Sequence, residues 1–271
     1  MSDTKALSDT KAMSDTRPVT DTRPRPHRNV LVVGGTSGLG QAVAREFAPI
    51  ADAVHLTYHG RGDDAEKVAA LVAEDGGTPV VHQLSLPDPD VRAAAVRRLM
   101  TRVTPCDIVV NCAVANHAAL ATVANAEHFK SVVDANVLGT YQVCAVAAQA
   151  MAATGGGSVV NVSSILTRHY IVGAMPYITS KAAIEAQTRG FAREWGKLGL
   201  RFNAVSPGPI RDTRLLSTVP REAIEEIMGG PDYEDRLLAP KQVAAVIRQV
   251  AGSDFAAMNG EVVTVDDGFS L

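Results

Sequence analysis

From Asn29 onward, short runs of β-branched residues alternate with Ala-rich stretches whose apolar residues recur with the period of a helix. Such runs predict buried parallel strands, and the alternation is typical of βαβ units. The predicted strands are Asn29–Val33, Ala53–Tyr58, Pro79–Leu84, Asp107–Val110, Ser158–Val162, Arg201–Ala204 and Val262–Val265. The predicted helices are Gly38–Ala48, Asp64–Glu74, Asp88–Arg102, Glu127–Ala153, Tyr177–Lys197 and Lys241–Ala251. Right-handed crossovers between them predict one α/β domain: a doubly wound, seven-stranded parallel sheet with helices on both faces.

Two segments depart from this rhythm. Residues 1–28 contain a degenerate hexapeptide repeat (SDTKAL, SDTKAM, SDTRPV, TDTRPR) that is polar, charged and Pro-containing. Because such a tract buries little apolar surface, we expect a disordered tail before the domain at residues 29–271, with a subunit-bridging arm as the alternative. The stretch from about 211 to 239 is rich in turn residues and follows the carboxyl end of a strand. Since ligands bind at that edge of open α/β sheets, it is a candidate substrate lid.

Composition narrows the functional classes. Apolar residues make up 46% of the 271-residue chain and aromatic residues only 4%, which suits a sheet covered by Ala-rich helices. The formal net charge is −3 with acids and bases interspersed, so we expect no nucleic-acid partner. The three cysteines lack metal-ligand spacing, which favours reduced thiols in a cytoplasmic protein and no metal site. Apolar runs stay below the roughly 18 residues that span a bilayer, so no membrane partner is expected.

A Gly-rich loop joins the first strand to the first helix. It reads Gly34-Gly35-Thr36-Ser37-Gly38-Leu39-Gly40. Glycines let the backbone turn tightly and approach a pyrophosphate, and the helix that begins here offers free N–H groups and the positive end of its dipole. A Gly-rich turn without a ligand is the alternative, but the strand before and the helix after favour a dinucleotide site.

Tyr177 and Lys181 lie four residues apart on a predicted helix and therefore share one face. A phenol with its ordinary pKa of about 10 is a slow acid–base group near neutrality, and a neighbouring ammonium favours the phenolate. An ordinary solvated i,i+4 pair is the alternative interpretation. Ser164 follows a strand thirteen residues before Tyr177, and Asn136 lies in a predicted helix between the fourth and fifth strands.

These elements, in this order and spacing, resemble the short-chain dehydrogenase/reductase family over Asn29 to Leu271. The resemblance implies a Rossmann-type fold and hydride transfer between a nicotinamide cofactor and a ketone or secondary alcohol. It makes Tyr177 the general acid/base and Lys181 its partner, which also binds the nicotinamide ribose. Ser164 would polarise the carbonyl oxygen, and Asn136 would position a water that relays protons. Ser163 is the rival serine, and the thirteen-residue spacing favours Ser164.

The same resemblance implies the cofactor contacts. Besides Tyr177, Lys181 and the loop residues Gly34, Thr36, Ser37, Gly38, Leu39 and Gly40, these are Asn111, Ala113, Pro207, Gly208, Ile210 and Thr213. The sequence departs from the family pattern at several positions. Val114 replaces a glycine near the cofactor, so we expect altered local geometry there, and Ser85 replaces an acidic residue near the adenine. Thr213 stands one position late, and Asp267 occupies a place where glycine is common.

The end of the second predicted strand bears on the choice of cofactor. NAD-binding members normally carry a carboxylate there, which binds the ribose 2′-hydroxyl. Here the position is Tyr58, followed by His59, Gly60 and Arg61. A guanidinium can pair with a 2′-phosphate, and no carboxylate stands at the strand end to repel it. We therefore favour NADP(H) over NAD(H), with a solvated loop cation as the alternative reading of Arg61.

Substrate and assembly are less constrained. The chain most resembles the 3-oxoacyl-carrier-protein reductase branch, which implies a β-ketoacyl or polyketide-like ketone on a carrier protein or coenzyme A. Arg168, His169 and Met175 lie between Ser164 and Tyr177 and are expected to face this substrate, unless they are simply solvated. Family resemblance also implies a homodimer or homotetramer packed through the helices 127–153 and 177–197, with packing inside one chain as the alternative.

Three other functions remain alternatives. One is a non-catalytic nucleotide-binding sensor or scaffold on the same fold. Such proteins typically lose the tyrosine or the lysine, whereas both stand in register here. The others are an NAD-dependent alcohol dehydrogenase and an epimerase or dehydratase acting through a keto intermediate; the short segment after Lys181 argues against the last.

Arg61 supplies a test of the cofactor prediction. Arg61→Ala should weaken NADPH binding about tenfold and leave NADH binding almost unchanged, because charge-assisted bonds to a 2′-phosphate are lost. Dissociation constants for both cofactors, measured by quenching of protein fluorescence, check this. Arg61→Lys is the matched control, since it keeps a positive charge. Equal losses for NADPH and NADH would remove Arg61 from the 2′-phosphate site.

Overall fold

Seven parallel strands form a single sheet. The computed structural model describes residues 29–60, 62–86, 88–116, 125–213, 216, 221, 224–225, 230 and 233–270. The strands are β1 Asn29–Val33, β2 Ala53–Tyr58, β3 Pro79–Gln83, β4 Ile108–Asn111, β5 Gly157–Val162, β6 Leu200–Pro207 and β7 Val262–Val265. Their order across the sheet is β3-β2-β1-β4-β5-β6-β7. This confirms the predicted fold class.

Helices cover both faces of the sheet. They are α1 Gly38–Phe47, α2 Gly62–Glu74, α3 Pro89–Val103, α4 Ala126–Val132, α5 Gly139–Ala153, α6 Met175–Trp195 and α7 Pro240–Ala251. Alternate residues of β1 serve two separate cores, because successive strand side chains point to opposite faces. Val30 and Val32 belong to the core that includes residues of α1 and α7, whereas Leu31 and Val33 belong to the one that includes residues of α5 and α6.

The helix predicted over 127–153 is interrupted. A π-helical turn, Val133–Leu138, separates α4 from α5, and the Gly139 N–H bonds to the Asp134 carbonyl five residues earlier. The buried guanidinium of Arg92 donates to that same carbonyl at 2.7 Å and to the Leu86 carbonyl at 2.8 Å. Periodicity predicted one helix because an extra residue in one turn leaves the apolar pattern on either side intact. Turns of this kind are frequent at functional sites, and this one contains Asn136.

From β1 the chain first runs to β2 and β3 on one side of the sheet. It then returns to β4 on the other side of β1, so the direction of winding reverses there. A crevice opens at the carboxyl ends of the strands at such a point, which is where ligands bind in this architecture. The repeat at 1–28 and about half of the proposed lid at 211–239 lie outside the described residues. None of the helices in the described ranges combines the length and apolar composition that crossing a bilayer requires. The same ranges hold no group of three or more His, Cys, Asp or Glu side chains placed to bind a metal ion.

A buried histidine pair joins β2 to β3. His55 Nδ1 lies 2.9 Å from His82 Nε2, so one ring donates a proton and the other accepts it. The rings also stack, with centroids 5.2 Å apart. Burial and, to a smaller extent, the neighbouring His82 together lower the pKa of His55 to about 4. Burial, aided by Arg102, lowers the pKa of His82 as well. Both rings are therefore neutral in the folded protein at pH 7.

This pair predicts a specific loss of stability in mild acid. An unfolded histidine takes up a proton near pH 6.5, whereas folded His55 resists protonation down to about pH 4. The stabilising contribution is therefore fully present above pH 6.5 and is lost as the pH falls toward 4. Melting temperatures between pH 7.5 and 4.5 should fall more steeply for the wild type than for His55→Gln. Parallel curves for the two proteins would contradict the prediction.

Candidate active site

Tyr177 and Ser164 form the centre of the candidate site. Tyr177 lies in the first turn of α6 and is only 6% exposed. Ser164 follows β5 in an extended conformation and caps the short 3-10 turn Ile165–Thr167. The Ser164 hydroxyl lies close enough to the phenol to influence its pKa. Burial raises the pKa of Tyr177 to about 12, against a smaller lowering by Ser164. The phenol is therefore protonated, and able to donate, at neutral pH.

Lys181 lies one helical turn beyond Tyr177 and is 3% exposed. Its Nζ donates to the Val162 carbonyl at 2.7 Å and lies 5.6 Å from the centroid of the Tyr177 ring. Burial lowers the pKa of Lys181 to about 8. The ammonium is thus held at the carboxyl end of β5 beside the phenol. Within the described residues, the Val162 carbonyl is the one hydrogen-bond partner of its three donors.

Asn136 ties the loop after β4 to the start of α6. Its Oδ1 accepts from the Ala115 N–H at 2.7 Å, and its Nδ2 donates to the Ala115 carbonyl at 2.8 Å. The same Nδ2 donates to Ser180 Oγ at 3.0 Å, and that hydroxyl donates to the Tyr177 carbonyl at 2.7 Å. The fully buried amide therefore fixes the backbone of Tyr177. A water relay through Asn136 stays a prediction.

The two adjacent serines point in different directions. Ser163 Oγ donates to Glu185 Oε1 at 2.7 Å, whereas Ser164 lies beside Tyr177. Successive residues of an extended chain alternate in direction, so only one of the two hydroxyls can face the tyrosine. The geometry favours Ser164, as the thirteen-residue spacing does.

The Gly-rich loop packs closely on the loop after β4. Gly34 has φ +78°, and a Cβ there would lie 2.6 Å from the Ala113 backbone. A Cβ on Gly40 would lie 2.2 Å from the Gly34 carbonyl oxygen. Ser37 caps α1, because its hydroxyl accepts from the Gly40 N–H at 3.0 Å and donates to the Gly34 carbonyl at 2.9 Å. Leu39 is buried in the core, so its backbone rather than its side chain is placed for a ligand; Thr36 is half-buried.

The segment after β6 closes the other side of this crevice. Gly208 N–H donates to the Val265 carbonyl at 2.8 Å, and Ile210 forms a bridge with Leu238. A Cβ on Gly38 would lie 2.8 Å from the Asp212 carbonyl oxygen and 3.3 Å from Thr213 Cγ2. Thr213 therefore lies directly opposite the Gly-rich loop despite standing one position late in the sequence.

The remaining cofactor predictions fall in different places. Asn111 Nδ2 donates to Asn161 Oδ1 on the neighbouring strand at 2.8 Å, so this side chain is directed toward β5. Its buried Oδ1 has no hydrogen-bond partner among the described residues. Pro207 ends β6. Tyr58 is half-buried at the end of β2, and His59 is exposed beside it. Arg61 lies outside the described residues.

The departures from the family pattern are accommodated locally. Val114 is 40% exposed, and its backbone is not among the left-handed positions, so the side chain takes the place of glycine without strain. Asp267 has φ +54°, a left-handed conformation that explains why glycine is common there. Asp212 is left-handed too, at φ +59°.

The predicted substrate residues line the loop between β5 and α6. Arg168 is exposed, Met175 is 55% exposed, and the His169 ring meets the edge of Phe269 at 5.9 Å. The same loop exposes Tyr170 (75%) and Val172 (85%), which sequence reasoning had not singled out. The available signal was the run Tyr170-Ile171-Val172, which carries no charged residue and lies between two predicted elements.

Two further residues were missed. Ser180 links Asn136 to Tyr177, and Glu185 binds Ser163. The signal for Glu185 was its position eight residues after Tyr177 and four after Lys181, which places three polar side chains on one face of α6. Ser180 lies on a buried face and gave no comparable signal.

Comparison with known proteins agrees with this geometry. A family model described as enoyl-(acyl carrier protein) reductase matches residues 33–270. The chain is 31% identical over 258 residues to (3R)-3-hydroxyacyl-CoA dehydrogenase of Canis lupus familiaris, covering 89% of this chain and 95% of that protein. It is 29% identical over 245 residues to a 3-oxoacyl-[acyl-carrier-protein] reductase of Thermotoga maritima, covering 89% and 97%.

Solved structures agree as well. A short-chain dehydrogenase/reductase family protein superposes with a TM-score of 0.76 at 32% identity, covering 90% of this chain and 98% of the other. The family model's range, residues 33–270, includes Asn136, Ser164, Tyr177 and Lys181. The chain belongs to the short-chain dehydrogenase/reductase family of oxidoreductases, in the branch of the 3-oxoacyl-carrier-protein reductases.

Proposed function

We propose that the chain catalyses the NADPH-dependent reduction of a ketone to a secondary alcohol. The observation that carries this proposal is that the buried Tyr177 and Ser164 side chains lie close enough to interact, with the Lys181 ammonium 5.6 Å from the centroid of the phenol ring. Two hydroxyls that meet at one point can both donate to a single carbonyl oxygen. An ammonium beside them stabilises the negative charge that remains on the phenolate after proton transfer.

The roles of the four residues follow from their contacts. Ser164 donates to the substrate oxygen and polarises the carbonyl, while Tyr177 donates its proton as charge develops on that oxygen. Lys181 then stabilises the phenolate, and its pKa of about 8 lets it exchange protons near neutrality. Asn136 keeps the first turn of α6 in place through Ser180. When bound, NADPH supplies the hydride for the carbonyl carbon.

The crevice fits a dinucleotide. The Gly-rich loop and the 212–213 segment meet at Gly38, where a Cβ would lie 2.8 Å from the Asp212 carbonyl oxygen. The start of α1 directs backbone N–H groups toward the crevice beside this contact, as phosphate binding requires. The residues that we assign to this cofactor site are Gly34, Thr36, Ser37, Leu39, Gly40, Ala113, Pro207, Gly208, Ile210, Tyr177 and Lys181. The Tyr58–His59 end of β2 carries no carboxylate, which supports NADP(H) over NAD(H).

A thioester-linked β-ketoacyl group is the substrate class that we propose. The relatives act on coenzyme A or carrier-protein thioesters, as their names state. Arg168 offers a cation and Tyr170, Val172 and Met175 offer apolar surface beside Tyr177, which suits an acyl chain that ends in an anionic carrier. We also propose a cytoplasmic homodimer or homotetramer, because Phe129, Leu138 and Tyr141 expose apolar surface along α4 and α5.

Tyr177→Phe tests the reaction. It removes the proton donor and keeps the ring, so kcat should fall at least about a hundredfold while NADPH affinity stays within a few-fold. The assay follows the loss of NADPH absorbance with acetoacetyl thioesters, simple ketones and an enoyl thioester. An unaltered kcat in the variant would refute the role of Tyr177. NADPH binding without turnover of any ketone would favour the sensor function, and turnover confined to the enoyl thioester would favour double-bond reduction.

Gly38→Ala tests the cofactor site. The added Cβ would lie 2.8 Å from the Asp212 carbonyl oxygen, so the loop and the 212–213 segment must move apart. We expect the NADPH dissociation constant to rise about tenfold or more. Gly190→Ala is the matched control, because its Cβ meets no atom within 4 Å and alanine favours the helix. Equal affinity in Gly38→Ala, Gly190→Ala and the wild type would place the phosphates elsewhere.

A further inference from the structure

Glu185 is a buried carboxylate that the proposed reaction does not use. It lies on α6 one turn beyond Lys181 and two turns beyond Tyr177, with 8% of its surface exposed. Its Oε1 accepts from Ser163 Oγ at 2.7 Å and lies 2.9 Å from Thr167 Oγ1. Its Oε2 lies 3.9 Å from the guanidinium of Arg189, which is exposed. The carboxylate therefore contacts the chain on both sides of Ser164.

Three successive residues that leave β5 are bound by one face of one helix. The Val162 carbonyl accepts from Lys181, the Ser163 hydroxyl donates to Glu185, and the Ser164 hydroxyl lies beside Tyr177. Positions i, i+4 and i+8 of α6 thus hold three consecutive positions of the strand exit. Because α6 is a rigid rod of 21 residues, the place of Ser164 relative to Tyr177 depends on these attachments.

The attachment by Glu185 has a property that the other two lack. Lys181 and Tyr177 have roles in the reaction, and their contacts with the strand exit must change as it proceeds. Glu185 has no such role, so its two hydroxyl partners stay bound throughout. Thr167 Oγ1 also lies 3.0 Å from the Ser164 carbonyl oxygen, so its one proton is shared between that carbonyl and Glu185. The carboxylate therefore contacts the end of the turn opposite Ser163.

Stability alone does not explain a carboxylate here. Burying a carboxylate costs several kcal/mol before its hydrogen bonds are counted, and an apolar side chain of similar size often serves stability as well or better. Buried polar groups of this kind specify geometry where they are fully bonded. The geometry specified here is that of the strand exit carrying Ser164.

We propose that Glu185 is a positioning residue, which sets the place of the Ser164 hydroxyl beside Tyr177 by binding Ser163 and Thr167. The inference rests on the proposed function, since it assigns Ser164 to the carbonyl oxygen. It concerns the oxygen of Glu185 as a hydrogen-bond acceptor and not its charge.

Three single variants test this. Glu185→Ala removes the oxygen to which both hydroxyls donate. We therefore expect kcat to fall at least about tenfold while the NADPH dissociation constant stays within twofold. Glu185→Gln keeps an oxygen that can accept both hydroxyls, so kcat should stay within about threefold of the wild type, with an unchanged pH profile. Arg189→Ala is the matched control and should leave kcat unchanged, because it contacts only the other oxygen.

A second measurement does not depend on turnover. Hydrogen exchange of the backbone at residues 163–169, followed by mass spectrometry in the NADPH-bound protein, should rise in Glu185→Ala and not in Glu185→Gln or Arg189→Ala. If Glu185→Ala does not fold, the triple variant Ser163→Ala, Thr167→Val, Glu185→Gln removes the same bonds without leaving a buried charge. The same loss of kcat and rise in exchange are then expected.

The outcomes separate the two proposals. Equal losses of kcat in Glu185→Ala and Glu185→Gln would show that the charge acts and would overturn the positioning role. Unchanged kcat and exchange in Glu185→Ala would overturn it too. A wild type that turns over no substrate in the panel would refute the proposed function alone, and the exchange comparison would still decide whether Glu185 fixes the strand exit.

Discussion

Helix α6 packs along β5 through contacts that change from apolar to polar toward the carboxyl end of the strand. At the far end Val159, Phe191 and Ala192 share one apolar core. Two residues along the strand, Asn161 Nδ2 donates to Thr188 Oγ1 at 2.9 Å. The next strand residue on that face, Ser163, bonds to Glu185. The apolar end supplies the stability and the polar end sets the geometry, and every side chain of the candidate centre lies at the polar end.

Buried ionisable groups at that end are held in states that suit proton transfer. Burial raises the pKa of Tyr177 to about 12 and lowers that of Lys181 to about 8, so both shifts oppose the charged forms. These costs are offset by the rest of the fold, in which two apolar cores cover both faces of the sheet. The raised pKa of Tyr177 also means that the phenolate forms only when the phenol gives its proton to the substrate or when added positive charge stabilises it. Such perturbed groups cluster at functional sites for this reason.

The strands and helices could be predicted closely, and the misses have physical causes. All seven predicted strands are present, because their continuous apolar runs reflect burial on both faces. The π turn at 133–138 was invisible, since the apolar pattern continues on both sides of it. The His55–His82 pair was invisible as well, because it joins residues 27 apart through the register of β2 on β3. Thr213 stands one position later in the sequence than the family pattern has its threonine. The left-handed backbone of Asp212 turns the chain so that Thr213 still lies opposite the Gly-rich loop.

The sequence by itself determined the order of strands and helices along the chain, the Gly-rich turn and the interval that places Tyr177 and Lys181 on one helix face. These features depend on local periodicity and on fixed intervals along one helix or strand, which are written directly in the chain. Only the tertiary structure decided which serine faces the tyrosine, what holds Asn136, and that Glu185 binds Ser163 from 22 residues away. Those contacts depend on how far α6 slides along β5 and how each loop folds back, and that register is set by packing between distant segments.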